Sequence, residues 1–209
     1  MAEPSRQAVD LYLASSSPRR RELLQQIGVC FQAFSVDVCE APKENEPPDV
    51  YVQRLSQAKA EAGWQYVAQQ ALSRGMPRKP VLGADTSVIQ DERILGKPES
   101  FDDYLINLLS LAGNTHQVLS SVTVTDGERT ETSLSKTEVT FATISPAEAE
   151  AYWASGEPQD KAGGYGIQGL GAIFVQRISG SYSGVVGLPL EKAVVLLRSF
   201  KVPFGCFQP

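Results

Sequence analysis

The chain has 209 residues, 42% of them hydrophobic, and a formal charge of −5 from 19 Lys and Arg against 24 Asp and Glu. Size and apolar content of this order bury a sizeable core, which excludes disorder as the main state. The acidic balance excludes a general nucleic-acid binder, because phosphate-backbone affinity needs a broad excess of basic side chains; any phosphate site must be local. No apolar run reaches the roughly 18 to 20 residues needed to span a bilayer, and residues 1–10 carry no signal-peptide core, so a cytosolic protein without a membrane partner is expected. Cys30, Cys39 and Cys206 are odd in number and form no CxxC pair, so they read as buried or incidental thiols rather than a disulfide framework or zinc site.

A tail over residues 1–10 leads into a short apolar strand, Leu11–Ala14, that stops at Ser15-Ser16-Ser17-Pro18-Arg19-Arg20. Ser17 suits a helix N-cap and Pro18 the first turn, while Leu23, Leu24 and Ile27 give one apolar face before Gly28. Strand, turn and helix in this order set unpaired N–H groups and a partial positive charge beside hydroxyls and arginines, an anion seat suited to a phosphate chain. On this segment alone, a solvated basic turn reads equally well. A strand near residues 31–36 follows, then Asp37, Glu40 and a loop through Pro47 and Pro48. Residues 51–70 read as a helix with an apolar stripe of Val52, Leu55, Ala58, Ala62 and Tyr66, leaving Arg54 and Lys59 outside it. Residues 71–79, with Gly, Pro, Ser and three basic side chains, read as a flexible connector.

Within residues 80–89, Asp85 interrupts an otherwise apolar, strand-like segment. A buried unpaired carboxylate is costly and needs a cation, a metal or hydrogen-bond donors, which makes Asp85 a candidate for metal binding or general-base work. The alternative is an acid at a strand end facing water. Asp91-Glu92 marks a hairpin turn, and Leu95-Gly96-Lys97-Pro98 brings a lysine ahead of a helix over 101–111. Residues 113–116 read as a turn into a strand over 117–125, and Asp126-Gly127 as a hairpin to a strand over 130–142. His116, the only histidine, has no hydrolytic partner nearby and reads as a satisfied polar residue in a turn. Ser145 caps a helix through Trp153, with Glu148 at the capping-box position.

Residues 160–171 carry five glycines in nine positions, among them Gly164, Gly166 and Gly169 in a GxGxxG match. The dinucleotide fingerprint follows a strand and opens a helix, whereas this segment leads into an apolar strand over 172–178, so a Rossmann site is set aside. The glycines allow positive φ angles and close approach of backbone to a ligand, leaving Gln168 as the side-chain reader. Gly180-Ser181-Tyr182 reads as a turn and 185–190 as a short run; a closing helix ends about Phe200, and 201–209 reads as a tail.

Five ordered motifs now carry a resemblance: Ala14 through Arg20 with Glu22-Leu23-Leu24; Gly83-Ala84-Asp85-Thr86; Gly96-Lys97-Pro98; Asp160-Lys161-Ala162-Gly163 with Tyr165 through Gly169; and Gly180-Ser181-Tyr182 with Val185 through Leu190. Over residues 11–200 the chain resembles the Maf nucleotide pyrophosphatases, and most of all their dTTP/UTP subgroup, through Ile167-Gln168-Gly169. The resemblance implies an α/β fold similar to the inosine-triphosphate pyrophosphatases: a mixed twisted sheet with flanking helices and two lobes around a cleft. Residues 1–10 and 201–209 would be tails around this single domain. It implies a nucleoside triphosphate substrate and a divalent cation, Mg²⁺ or Mn²⁺; a homodimer is expected as well. On the matching positions Asp85 would be the general base, Arg19, Thr86 and Gln168 would set substrate preference, and Ser15, Arg20, Lys59 and Lys97 would hold phosphates. Glu40 would join Asp85 at the metal. Two departures stand out: Cys39 occupies a place where close relatives would carry a second acid, and Gly184 replaces a larger residue.

The Gln168 amide offers one donor and one acceptor, matching the O4 and N3–H edge of uracil or thymine and opposing that of cytosine. Rival readings are a pyrophosphatase for another base, such as a modified purine, and a nucleotide-binding regulatory or cell-division module without turnover.

Overall fold

All four residues of β1 (Leu11–Ala14) are buried, as a strand covered on both faces requires. The strand pairs in parallel with β2 (Phe31–Phe34) on one side and β3 (Val81–Gln90) on the other. The connections are α1 (Pro18–Gln26) and α2 (Pro48–Arg74). From β3 the sheet turns antiparallel, through the hairpin to β4 (Arg93–Leu95) and through β5 (Thr115–Thr125), β6 (Thr130–Phe141) and β7 (Val175–Ser179). Across residues 9–205, which this computed structural model describes, the sheet is seven-stranded and mixed, in the order β2-β1-β3-β5-β6-β7 with β4 beside β3.

The remaining helices are α3 (Phe101–Leu111), α4 (Pro146–Ala154), α5 (Tyr182–Val186) and α6 (Leu190–Ser199). Most buried apolar side chains fall into two bodies. One gathers Leu11, Leu13, Leu24, Leu82, Leu188 and Leu197 where α1 and α6 meet the sheet; the other gathers Tyr104, Leu108, Leu111, Phe141, Tyr152 and Tyr165 around α3 and α4. They are called the first and second lobe below, and the expected α/β fold with a mixed sheet and flanking helices is the observed one. No helix among the described residues is long and apolar enough to cross a membrane.

Local signals place several boundaries well. Ser17 accepts from the Arg20 N–H, Ser145 and Glu148 form both bonds of a capping box, and Asp91 and Glu92 take positive φ in the hairpin turn. Other expectations need correction. The helix expected over 51–70 runs from Pro48 to Arg74, because no Gly or Pro follows Gln70 until Gly75, whose φ of 67° closes it in a left-handed cap. Residues 71–74 are therefore helix rather than connector. The strand expected over 172–178 begins only at Val175, behind a 3₁₀ segment at Leu170–Phe174. Residues 201–205 do not start a tail, since Val202 and Phe204 are buried in the first lobe. His116 lies in β5 rather than a turn, 2% exposed, with Nε2 2.8 Å from the Tyr165 hydroxyl. Cys30 is partly buried and Cys39 exposed, both free thiols, while Cys206 lies outside the described residues.

Candidate active site

The chain leaves β1 at Ala14 and turns directly into α1, so Ser15, Ser17 and Arg20 meet over the first helical turn. Ser15 Oγ accepts from the Ser17 N–H and from Arg20 Nη1, each at 3.2 Å. Arg20 Nε donates to the Gly187 carbonyl at 2.9 Å, and the Thr86 hydroxyl lies 3.3 Å from the same oxygen. One carbonyl thus orients both a phosphate candidate and a specificity candidate. Gly187 presents it at φ 136°, a conformation suited to glycine. Burial leads in drawing the Arg20 guanidinium below its ordinary pKa, Asp85 opposes the shift, and an arginine remains charged there.

Asp85 and Thr86 are neighbours on β3 and so face opposite sides of the sheet. The Asp85 side faces α2, which lies against β3 at Gly83: a Cβ there would strike the Ser56 carbonyl and the Ala60 nitrogen of the helix. Close contact at Gly83 brings Lys59 within reach. Its ammonium lies 2.8 Å from Asp85 Oδ1 and 2.6 Å from Glu40 Oε1, tying together two acids that are 45 residues apart in sequence. The Lys59 and Asp85 side chains are 12% and 11% exposed, so this pair is largely shielded from water. Glu40 sits in the loop after β2, where the Tyr51 hydroxyl donates to its backbone carbonyl at 2.8 Å. Burial would raise the Glu40 pKa, but the hydrogen bond and charge of Lys59, with help from Lys97 and Arg20, hold it below the ordinary value. Two hard carboxylates converging on one cationic centre suit Mg²⁺ or Mn²⁺, which bind through one or two carboxylates and complete their shell with phosphate oxygens and water. No group of three or more His, Cys, Asp or Glu among the described residues could hold a metal by itself.

Across the cleft, Gly96 and Lys97 follow β4, and the carbonyl of Gly96 accepts from the Gly163 N–H at 2.9 Å. Arg19 reaches the far wall at Asp160, 3.7 Å away. The Gln168 side chain is exposed to the cleft, and its amide has no hydrogen-bond partner among the described residues. Ser15, Arg19, Arg20, Glu40, Lys59, Asp85, Thr86, Lys97 and Gln168 all line this single cleft of about 1000 Å³, large enough for a nucleotide.

The glycine-rich wall departs from expectation. Gly163 and Gly164 do take positive φ, but the space left by the missing Cβ atoms is filled by protein. A Cβ at Gly163 would meet Val88, at Gly164 Tyr104, at Gly166 Lys161, at Gly169 the Glu157 carboxylate and at Gly171 the Tyr152 hydroxyl. Tyr51, which holds the Glu40 carbonyl, and Tyr152 and Glu157, which hold the backbone on either side of Gln168, carry no mark of these roles in the sequence. No composition or spacing signal marks such partners.

The profile of the family described as Maf-like protein matches residues 10–200. Three similar proteins each carry the name dTTP/UTP pyrophosphatase. One from Saccharophagus degradans is 53% identical over 94% of this chain and 91% of its own length. One from Pseudoalteromonas atlantica is 50% identical over 94% of this chain and 100% of its own. One from Photobacterium profundum is 53% identical over 92% and 97%. Among solved structures, the Ham1 protein of Staphylococcus aureus aligns with 63% of this chain and 71% of its own at 13% identity and a TM-score of 0.38.

Proposed function

Because the chain belongs to the Maf-like protein family, we propose that it is a nucleoside triphosphate pyrophosphatase that hydrolyses dTTP and UTP to the monophosphate and pyrophosphate. The observation that carries this reading is the convergence of Asp85 and Glu40, of Arg19, Arg20, Lys59 and Lys97, and of the Gln168 amide on one cleft. A binding module without turnover would need no carboxylate pair beside a phosphate seat.

In this reading Ser15, the first turn of α1 and Arg20 take the triphosphate, with Lys97 approaching from the opposite wall. Asp85 and Glu40 would hold a divalent cation, which when bound would supply charge neutralisation to the phosphates and to the departing pyrophosphate. Lys59 fixes both acids and offers its one remaining N–H to a phosphate oxygen. Water attacks the α-phosphorus, the bond from that phosphorus to the bridging oxygen breaks, and the proton of the water passes to Asp85. General-base help of this kind contributes about 10² to 10⁴-fold, and the arrayed positive charge contributes electrostatic stabilisation.

Arg19, Thr86 and Gln168 set base preference, with the Gln168 amide pairing to the O4 and N3–H edge. A methyl group at C5 leaves that edge unchanged and is worth only about 1 to 3 kcal/mol, which supports acceptance of both dTTP and UTP and of 5-modified uridine triphosphates. Homodimer formation, a cytosolic location and a role in cell-division arrest belong to the same proposal.

The test is pyrophosphate release from a panel of standard and modified nucleoside triphosphates, with Mg²⁺, with Mn²⁺ and with chelator. Metal-dependent release favouring dTTP and UTP is expected. Activity centred on a purine would overturn the base assignment, and no turnover of any nucleotide would favour the binding module.

A further inference from the structure

One carboxyl group organises the wall that carries Gln168. Glu157 opens the 3₁₀ turn Glu157–Asp160, just after α4. Its Oε1 accepts from the Tyr152 hydroxyl at 2.7 Å and from the Gly171 N–H at 3.1 Å, and its Oε2 accepts from the Leu170 N–H at 2.8 Å. The Tyr152 hydroxyl accepts in turn from the Gly166 N–H at 3.0 Å. Both ends of segment 166–171 therefore close on the same side-chain pair, with Gln168 between them.

The glycines make this wrapping possible. A Cβ at Gly169 would collide with the Glu157 carboxylate, and one at Gly171 would lie 2.5 Å from the Tyr152 hydroxyl. Burial would raise the Glu157 pKa, yet the hydrogen bonds from Tyr152, Leu170 and Gly171 and the charge of Lys161 outweigh it, leaving the group below the ordinary carboxylate value. At neutral pH it is thus an acceptor-only anion, and hydrogen bonds to an ionised acceptor are stronger than neutral ones. A side-chain reader discriminates only when it is held to within about 0.5 Å of its pairing geometry. Gln168 has no hydrogen bond of its own among the described residues, so its placement depends on the backbone either side.

We propose that Glu157 is a positioning residue for base discrimination, holding through Tyr152 and the Leu170 and Gly171 amides the segment that presents Gln168 to uracil or thymine. This inference rests on the reading of Gln168 as the base reader.

The test compares kcat/KM for UTP and CTP on one preparation of each variant. Their ratio is independent of the active fraction, so a general loss of folded enzyme does not move it. Glu157→Gln keeps the shape but replaces one acceptor with an NH₂ facing a backbone N–H or hydroxyl donor. The expected result is a fall of about tenfold in the UTP-to-CTP ratio, the discrimination carried by roughly one well-placed hydrogen bond, with KM for UTP changing more than kcat. Tyr152→Phe, which loses only the hydroxyl, should lower the ratio to a smaller degree and serves if Glu157→Gln does not fold. Adding Glu157→Gln to Gln168→Ala should produce no further fall, because both act on the same contact. An unchanged ratio in Glu157→Gln and Tyr152→Phe, alongside a fall in Gln168→Ala, overturns the role of Glu157 and leaves the base reader standing. An unchanged ratio in Gln168→Ala overturns the base reader itself, and the inference with it.

Discussion

The Lys59 ammonium lies 2.8 Å from Asp85 Oδ1, and the contact exists because Gly83, two residues before the acid on the same face of β3, lets α2 lie directly on the sheet. Asp85 is thereby a buried acid with a partner, not an acid at a wet strand end. The same lysine reaches Glu40 at 2.6 Å, so a helix, a strand and a loop contribute to one charged centre. Removing one partner from such a shielded pair leaves the other charge uncompensated, which is the costly event in ion-pair energetics.

Asp85→Asn removes the proton acceptor and one of the two carboxylates facing Lys59 while keeping the side-chain shape. Pyrophosphate release from UTP should fall by about 10² to 10⁴-fold with the circular-dichroism spectrum unchanged. Chelation of divalent cations should produce a loss in the parent enzyme and almost none beyond the mutation in the variant. Near-normal turnover of a folded Asp85→Asn protein would rule out Asp85 as the base.

Gly83→Ala tests the geometry beneath that centre. The added methyl would strike backbone atoms of Ser56 and Ala60, and neither can swing aside as a side-chain tip would. Overpacking of this kind costs about 1 to 3 kcal/mol, so the denaturant midpoint should drop accordingly. The shift of α2 also draws Lys59 from Asp85, so kcat should fall in the protein that remains folded. A variant with parental stability and activity would show that α2 has no fixed seat on β3.

Much of this arrangement is legible in the chain where the deciding residues are close together. The stop of β1 at Ser15, the cap at Ser17, the box at Ser145 and Glu148 and the limits of α3 each depend on a few neighbouring side chains. Long-range partners were not legible in the same way. A glycine in sequence declares a missing Cβ but not what takes its place, and at Gly169 the occupant is Glu157, twelve residues earlier, not a ligand. Helical periodicity predicts a stripe through Ala58, Ala62 and Tyr66 that leaves Lys59 outside it, but the buried face of α2 runs through Val52, Leu55, Ser56, Ala60, Gly63 and Val67, and contact of that face with the sheet turns Lys59 toward two acids. The polar run before His116 reads as a turn, whereas β5 begins one residue earlier and carries the ring into the second lobe.

His116 supplies a pH dependence with a defined sign. Its ring is 2% exposed and packs edge-on against Phe141, and Nδ1 has no partner among the described residues. Burial lowers its pKa from 6.5 to about 4. Between those values the unfolded chain binds a proton that the folded chain excludes, so stability is intact above pH 6.5 and is lost as pH falls toward 4. The loss amounts to about 3 kcal/mol at most. Urea titrations at steps across this window should show the parent losing stability faster than His116→Gln, whose slope retains only the carboxylate contributions. Equal slopes for the two proteins would remove His116 from the account.

Gly187 joins the phosphate seat to the specificity side of the cleft, since its carbonyl accepts from Arg20 Nε and faces the Thr86 hydroxyl. At φ 136° a side chain is strained, so Gly187→Ala should rotate the peptide and release the Arg20 guanidinium from its fixed orientation. Arginine recognises phosphate through a planar fork, and losing that orientation weakens triphosphate binding whatever the base attached to it. KM should therefore rise by about tenfold for dTTP, UTP and CTP alike, with the ratio among them held, in contrast to the ratio change expected from Gln168→Ala. Steady-state kinetics on the three nucleotides distinguishes these outcomes. A change in base preference without a common rise in KM would place Gly187 on the specificity side alone, acting through Thr86 and not through Arg20.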